Sequence, residues 1–156
     1  MSLAIFARGP ENAPTIVFLH GLGVSSWMWT PQIEALENSY RCLAVDLPGC
    51  GENRSTPWHS MTDSARQIAD IIRTQAPGGR AHVVGLSMGG FVALHLLQAH
   101  PEVVESVLVS GVNTRPLPRM MRPLMQGVSH LMHWKPFIHM NARLMQMPPE
   151  SLPLLE

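Results

Sequence analysis

A serine enclosed by glycines, set between a short apolar run and a long apolar helical pattern, constrains this chain more than any other feature. Residues 81–91 read Ala-His-Val-Val-Gly-Leu-Ser-Met-Gly-Gly-Phe. The run before Gly85 reads as a buried strand, and the residues after Ser87 read as a helix. Gly85-Leu86-Ser87-Met88-Gly89 therefore matches G-x-S-x-G in the strand–turn–helix setting that this motif requires. A side chain raised on so sharp a turn sits on a strained backbone, and the positions two residues to either side must be nearly bare for the turn to close. Gly85 and Gly89 meet that condition, and Gly90 lets the following helix approach the strand. The start of that helix turns free N–H groups toward any negative charge developing at Ser87. The bland alternative is an ordinary strand–helix turn, and features upstream argue against it.

The first lies at His20-Gly21-Leu22-Gly23, directly after the β-branched apolar run from Thr15 to Leu19. Glycines at the end of a central strand let the backbone approach a ligand and point its N–H groups inward. The second is Asp46-Leu47-Pro48-Gly49-Cys50-Gly51, which closes another apolar run from Arg41 to Val45. Between these runs, Thr30-Pro31-Gln32 reads as an N-cap with proline at the first helical position, opening a helix that ends near Asn38. Thr62 to Gln75 reads as an amphipathic helix, with Ala65, Ile68, Ala69 and Ile72 at helical spacing. The helix after Ser87 is apolar nearly all round and runs to about His100, before Pro101. Ser106 to Val109 is a further strand, and residues 2–7 a weak first one. Strands alternating with helices in this way predict an α/β fold with a doubly wound, mostly parallel sheet. Chemistry in such sheets collects at the carboxyl ends of the strands, where His20, Asp46 and Ser87 all fall.

Composition removes other classes. The 156 residues carry 11 basic and 11 acidic side chains and no net charge, so nothing points to nucleic acid or an anionic membrane. No apolar run reaches membrane-spanning length. Two cysteines, Cys42 and Cys50, make neither a disulfide framework nor a metal-ligand spacing, which makes a reducing, cytoplasmic setting the default. From Thr114 the character changes. Seven of the 11 methionines follow Arg119, suggesting short helices with an adaptable apolar face.

The three blocks at His20, Asp46 and Gly85, in that order and spacing, resemble the α/β-hydrolase superfamily over residues 2–113. Within it the chain is similar to the branch of small serine esterases, which includes carboxylesterases of biotin synthesis, enol-lactonases and carbon–carbon bond hydrolases. The resemblance implies Ser87 as nucleophile and the backbone N–H groups of Leu22 and Met88 as the oxyanion hole, with His20, Gly21, Gly85 and Gly89 as supporting motif residues. The side chains of Leu22 and Met88 would line an acyl pocket. It implies a structural rather than a basic role for His20, a turn-capping one for Asp46, and no cofactor or metal. Its substrate would be a small ester, thioester or lactone. Cys50 departs from the histidine often found there, and Glu52-Asn53-Arg54-Ser55 lengthens that loop. A serine at the turn argues against haloalkane dehalogenases and epoxide hydrolases, which place aspartate there. Residues 114–156 resemble the start of a helical lid.

The superfamily's triad runs serine, then acid, then histidine along the chain. No aspartate follows Asp70, and the acids after Ser87 are Glu102, Glu105, Glu150 and Glu156. His95 and His100 belong to the helix behind Ser87, while His130, His133 and His139 fall in the lid-like segment, where His130 and His133 read as solvated or packed rather than as a metal pair. The expectation is an N-terminal fragment of a longer hydrolase, with little turnover of its own and an apolar sheet edge left at residues 106–109. The competing expectation is a non-catalytic relative that binds a small apolar ligand or a partner. Oligomeric state is left open.

Overall fold

The computed structural model describes residues 3–113. Residues Met1–Val112 form one compact unit and Asn113–Glu156 a second. The readings made for residues 114–156, including His130, His133, His139 and the methionine-rich segment, lie outside the described residues.

Five strands form a single sheet: β1 (Ile5–Arg8), β2 (Thr15–Leu19), β3 (Arg41–Val45), β4 (Ala81–Leu86) and β5 (Val104–Ser110). Their spatial order is β1-β3-β2-β4-β5, with β1 antiparallel to β3 and the other pairings parallel. The mostly parallel α/β architecture expected from the alternation is thus present. Three helices accompany it: α1 (Thr30–Leu36), α2 (Met61–Gln75) and α3 (Met88–Ala99).

The period-two alternation of each strand divides the core. Val17, Leu19, Leu43, Val45 and Val83 face α2 and α3, where they meet Ile68, Ile72, Val92 and Leu96. Ile16, Phe18, Cys42 and Ala44 face the other way, against Trp29 and Ile33. All five residues of β2 are buried, as a central strand covered on both faces requires. Phe18, Leu19, Leu43, Ile68 and Ile72 are among the fully buried side chains. Each contributes about 1.5–3 kcal/mol by leaving water.

Several local expectations are corrected. Thr30 is not the N-cap of α1: a 3-10 turn over Ser26–Trp29 precedes the helix, and Trp29 takes the cap position without a side-chain bond. The Thr30 hydroxyl instead donates back to the Trp27 carbonyl at 2.8 Å. α2 starts one residue earlier than read, because Ser60 caps it by accepting from the Asp63 N–H at 3.0 Å. β5 is seven residues long rather than four, paired with β4 from Val104 to Ser110 with one register shift between Ala81 and His82. α3 packs against the sheet through Val92, Ala93 and Leu96, as its apolar character implies, and leaves Leu97 exposed. Among the described residues β5 is the last strand of the sheet, with Leu108 61% exposed. No helix among the described residues is long and apolar enough to cross a membrane.

Candidate active site

β4 ends at Leu86 and α3 begins at Met88, so a single residue makes the turn. Ser87 takes φ 50° and ψ −110°, the one positive φ outside glycine among the described residues. Holding a side chain there costs on the order of 1–3 kcal/mol, which the surroundings must offset. The Ser87 N–H donates to the Ser110 carbonyl at 2.8 Å, and its own carbonyl accepts from the Phe91 N–H at 3.1 Å. The side chain is left exposed.

The glycines explain why the turn closes. A Cβ on Gly85 would stand 2.5 Å from the Gly89 carbonyl oxygen and 2.7 Å from the Gly90 Cα. One on Gly89 would run into the Leu19 carbonyl and lie 2.6 Å from the His20 oxygen. That close approach places the Gly89 N–H 3.0 Å from the His20 carbonyl, to which it donates. The end of β2 is thereby pinned to the start of α3. Gly21 follows, and a Cβ there would sit 3.6 Å from the Ser87 Cβ. Leu22 is the next residue along. Among the described residues, neither the Leu22 nor the Met88 N–H donates a hydrogen bond. The two side chains differ: Met88 is half-buried against the larger core, whereas Leu22 is 55% exposed.

His20 and Asp46 do their work behind this surface. His20 is fully buried, with Nδ1 2.8 Å from the Gly21 carbonyl and Nε2 3.0 Å from the Leu47 N–H. A carbonyl only accepts and a backbone N–H only donates, so the ring is neutral with its proton on Nδ1. Burial holds its pKa below the usual 6.5, against the raising influence of the Gly21 bond and of Asp46. The Asp46 carboxylate accepts from the Ser26 N–H at 2.7 Å and the Glu52 N–H at 3.0 Å. Gly51, with φ +50°, is packed so close that a Cβ would collide with that carboxylate. Asn53, which the motif reading passed over, donates to the Asp46 carbonyl and accepts from the Ala4 N–H at 3.1 Å. These bonds join the loops after β2 and β3. Their only trace in the sequence is the polar residues at strand ends. Burial, followed by the nearby Asp46 charge, pushes the Cys50 thiol up, so it is protonated at neutral pH.

The remaining acids and bases lie elsewhere. His82 pairs with the Ser106 hydroxyl at 2.8 Å near the start of β4, and Glu102 and Glu105 are held by Arg73 and Arg80 at 2.6 and 2.9 Å. Among the described residues no histidine or carboxylate hydrogen-bonds to Ser87. Nor do they hold a cluster of three or more His, Cys, Asp or Glu side chains suited to a metal ion.

A family model described as alpha/beta hydrolase fold matches residues 14–134. The chain belongs to the α/β-hydrolase family. Within this family it is 37% identical over 98 residues to a 3-oxoadipate enol-lactonase of Acinetobacter baylyi, covering 61% of this chain and 35% of that protein. It is 40% identical over 101 residues to a pimeloyl-[acyl-carrier protein] methyl ester esterase of Nitrosomonas europaea, covering 64% and 38%. A thermophilic esterase from Thermogutta terrifontis superposes with a TM-score of 0.73 at 24% identity, over 84% of this chain and 48% of that one, which bears on the fold alone. The chain thus spans a little over a third of the length of these curated relatives.

Proposed function

We propose that the protein is a serine hydrolase of small carboxylic esters, thioesters or lactones, working through an acyl-enzyme on Ser87. The observation that carries this reading is the exposed, strained Ser87 with the Gly21–Leu22 loop against its Cβ. The Ser87 hydroxyl attacks the substrate carbonyl and its proton passes to a histidine base outside the described residues. The N–H groups of Leu22 and Met88 receive the oxyanion, an interaction that strengthens as negative charge builds and so lowers the barrier. Collapse expels the alcohol, thiol or ring oxygen, which takes that proton, and water then releases the acid.

The exposed Leu22 side chain is the apolar wall that this reading assigns to the acyl side of the site. The two free cysteines agree with a reducing, cytoplasmic setting. Residues 1–113 supply the N-terminal part of the hydrolase core and residues 114–156 the start of its lid. In this reading the 156-residue chain alone turns over esters slowly, because among the described residues no histidine or carboxylate hydrogen-bonds to Ser87 to activate it.

The test is hydrolysis of short-chain p-nitrophenyl esters and thioesters by the complete gene product. Ser87→Ala is expected to lower kcat/KM by about a thousandfold or more. Equal activity in that variant would remove Ser87 from the chemistry. A fully inactive wild type would favour the non-catalytic, ligand-binding reading.

A further inference from the structure

His20 reaches the site through one peptide group. Its Nδ1 lies 2.8 Å from the Gly21 carbonyl oxygen, and that carbonyl belongs to the peptide that also carries the Leu22 N–H. No peptide bond among the described residues is cis, so the C=O and N–H of this one point in opposite directions across a rigid plane. A donor that holds the Gly21 oxygen therefore also sets where the Leu22 N–H aims. Gly21 has no side chain to limit its own rotation, which leaves that setting to the partner of its carbonyl. A Cβ on Gly21 would stand 3.6 Å from the Ser87 Cβ, which places the start of this peptide beside the serine. The imidazole is fully buried, so the carbonyl is drawn inward and the N–H is turned outward, toward the surface on which the Ser87 side chain is exposed. The ring is itself fixed. Its Nε2 accepts from the N–H of the fully buried Leu47 at 3.0 Å, which keeps the ring proton on Nδ1. The residue before Leu47, Asp46, accepts from the Ser26 N–H at 2.7 Å and so ties the same two loops together a second time.

We propose that His20 is a positioning residue of the oxyanion hole, its Nδ1–H holding the Gly21–Leu22 peptide so that the Leu22 N–H meets the charge developing on the substrate oxygen. The assignment rests on the hydrolase reading of Ser87 and adds to it a residue that touches no substrate. As the substrate oxygen turns negative, it draws on the Leu22 N–H and polarises the peptide. The Gly21 oxygen then becomes a better acceptor, and the bond from His20 strengthens in step. His20 neither gives up nor takes a proton in this role. Its influence falls on kcat rather than KM, because the ground-state carbonyl gains little from the same donor.

The test compares His20→Asn with His20→Leu in the complete gene product, with p-nitrophenyl butyrate as substrate. The two side chains branch alike at Cγ. Asn keeps an N–H donor where Nδ1 stands, Leu puts a methyl there, and neither reaches Leu47. A buried site receives Leu more readily than Asn, so a merely structural role ranks Leu above Asn. Positioning ranks them the other way. His20→Leu should lower kcat about 30- to 100-fold and His20→Asn about tenfold less than that, with KM changed by less than about threefold in both. Should either variant fail to fold, the wild type decides, by NMR of 15N-histidine-labelled protein before and after reaction with a fluorophosphonate. His20 is expected to carry its proton on Nδ1, and the Nδ1–H resonance to move downfield in the adduct. Equal kcat in the two variants, a loss confined to KM, a ring proton on Nε2, or an unmoved Nδ1–H resonance would each overturn the proposal. A wild type matched in activity by Ser87→Ala would instead remove the hydrolase reading, and this role of His20 with it.

Discussion

After β2 and β3, the buried His20 and Asp46 are fully paired; at the amino ends of the same two strands, Thr15 and the Arg41 Nε are not. His20 uses both ring nitrogens and Asp46 both carboxylate oxygens, each on a backbone partner. Thr15 and the Arg41 Nε, no less buried, lack a partner. The outer surface of α2 is different again, with Arg66, Arg73, Asp63 and Asp70 in exposed i,i+3 and i,i+4 pairs. The contrast teaches where this fold concentrates its rigidity. A strained residue such as Ser87 persists only where its neighbours over-determine the backbone, and the satisfied network surrounds that residue.

Breaking the packing beneath Ser87 should have the largest effect. Gly89→Ala drives a methyl into the Leu19 and His20 carbonyls, which are backbone atoms of the central strand and cannot turn aside. A loss of roughly 3 kcal/mol or outright failure to fold is expected from urea titration. A normal midpoint would mean that the strand and helix are not in contact as described.

Acid should act on the same region through His20. Its folded pKa lies below 6.5, so below that pH the unfolded chain takes up a proton that the folded chain refuses. The stabilisation is present above pH 6.5 and fades as pH falls toward the folded value, by up to about 1.4 kcal/mol per unit. Denaturation midpoints between pH 7.5 and 5 should fall in wild type and fall less steeply in His20→Gln. Parallel slopes would show that His20 is not the group responsible.

Smaller effects belong to α2. Ser60→Ala removes the bond to the Asp63 N–H and should cost about 1 kcal/mol. Arg66→Ala, by contrast, deletes two exposed ion pairs and should leave the thermal midpoint nearly unchanged, more so at high salt. A larger loss from Arg66 than from Ser60 would reverse the ranking of a helix cap over surface ion pairs.

These differences also mark what could be read from residues alone. The apolar runs at Thr15, Arg41 and Ala81 announce β2, β3 and β4 because a buried strand requires continuous burial on both faces. The glycines around Ser87 announce the turn because only they fit it. The spatial order β1-β3-β2-β4-β5 was not legible, since register is decided by partners far apart in the chain. The same holds for the bond from Leu47 to His20, 27 residues away, and for the role of Asn53. Thr30 misled because threonine before proline is a common helix start, whereas here the turn from Ser25 to Met28 begins the helical path earlier. Thr15 and Arg41 looked like ordinary first residues of strands. Only burial without partners sets them apart.

The central claim is that Leu22 and Met88 aim their amides at one point beside Ser87. Its most direct test is a crystal structure of the complete protein after reaction with a fluorophosphonate. The account predicts a phosphonyl group on Ser87 Oγ with one oxygen about 2.7–3.1 Å from both backbone nitrogens. An adduct whose oxygen faces solvent, with either amide beyond hydrogen-bond reach, would contradict it.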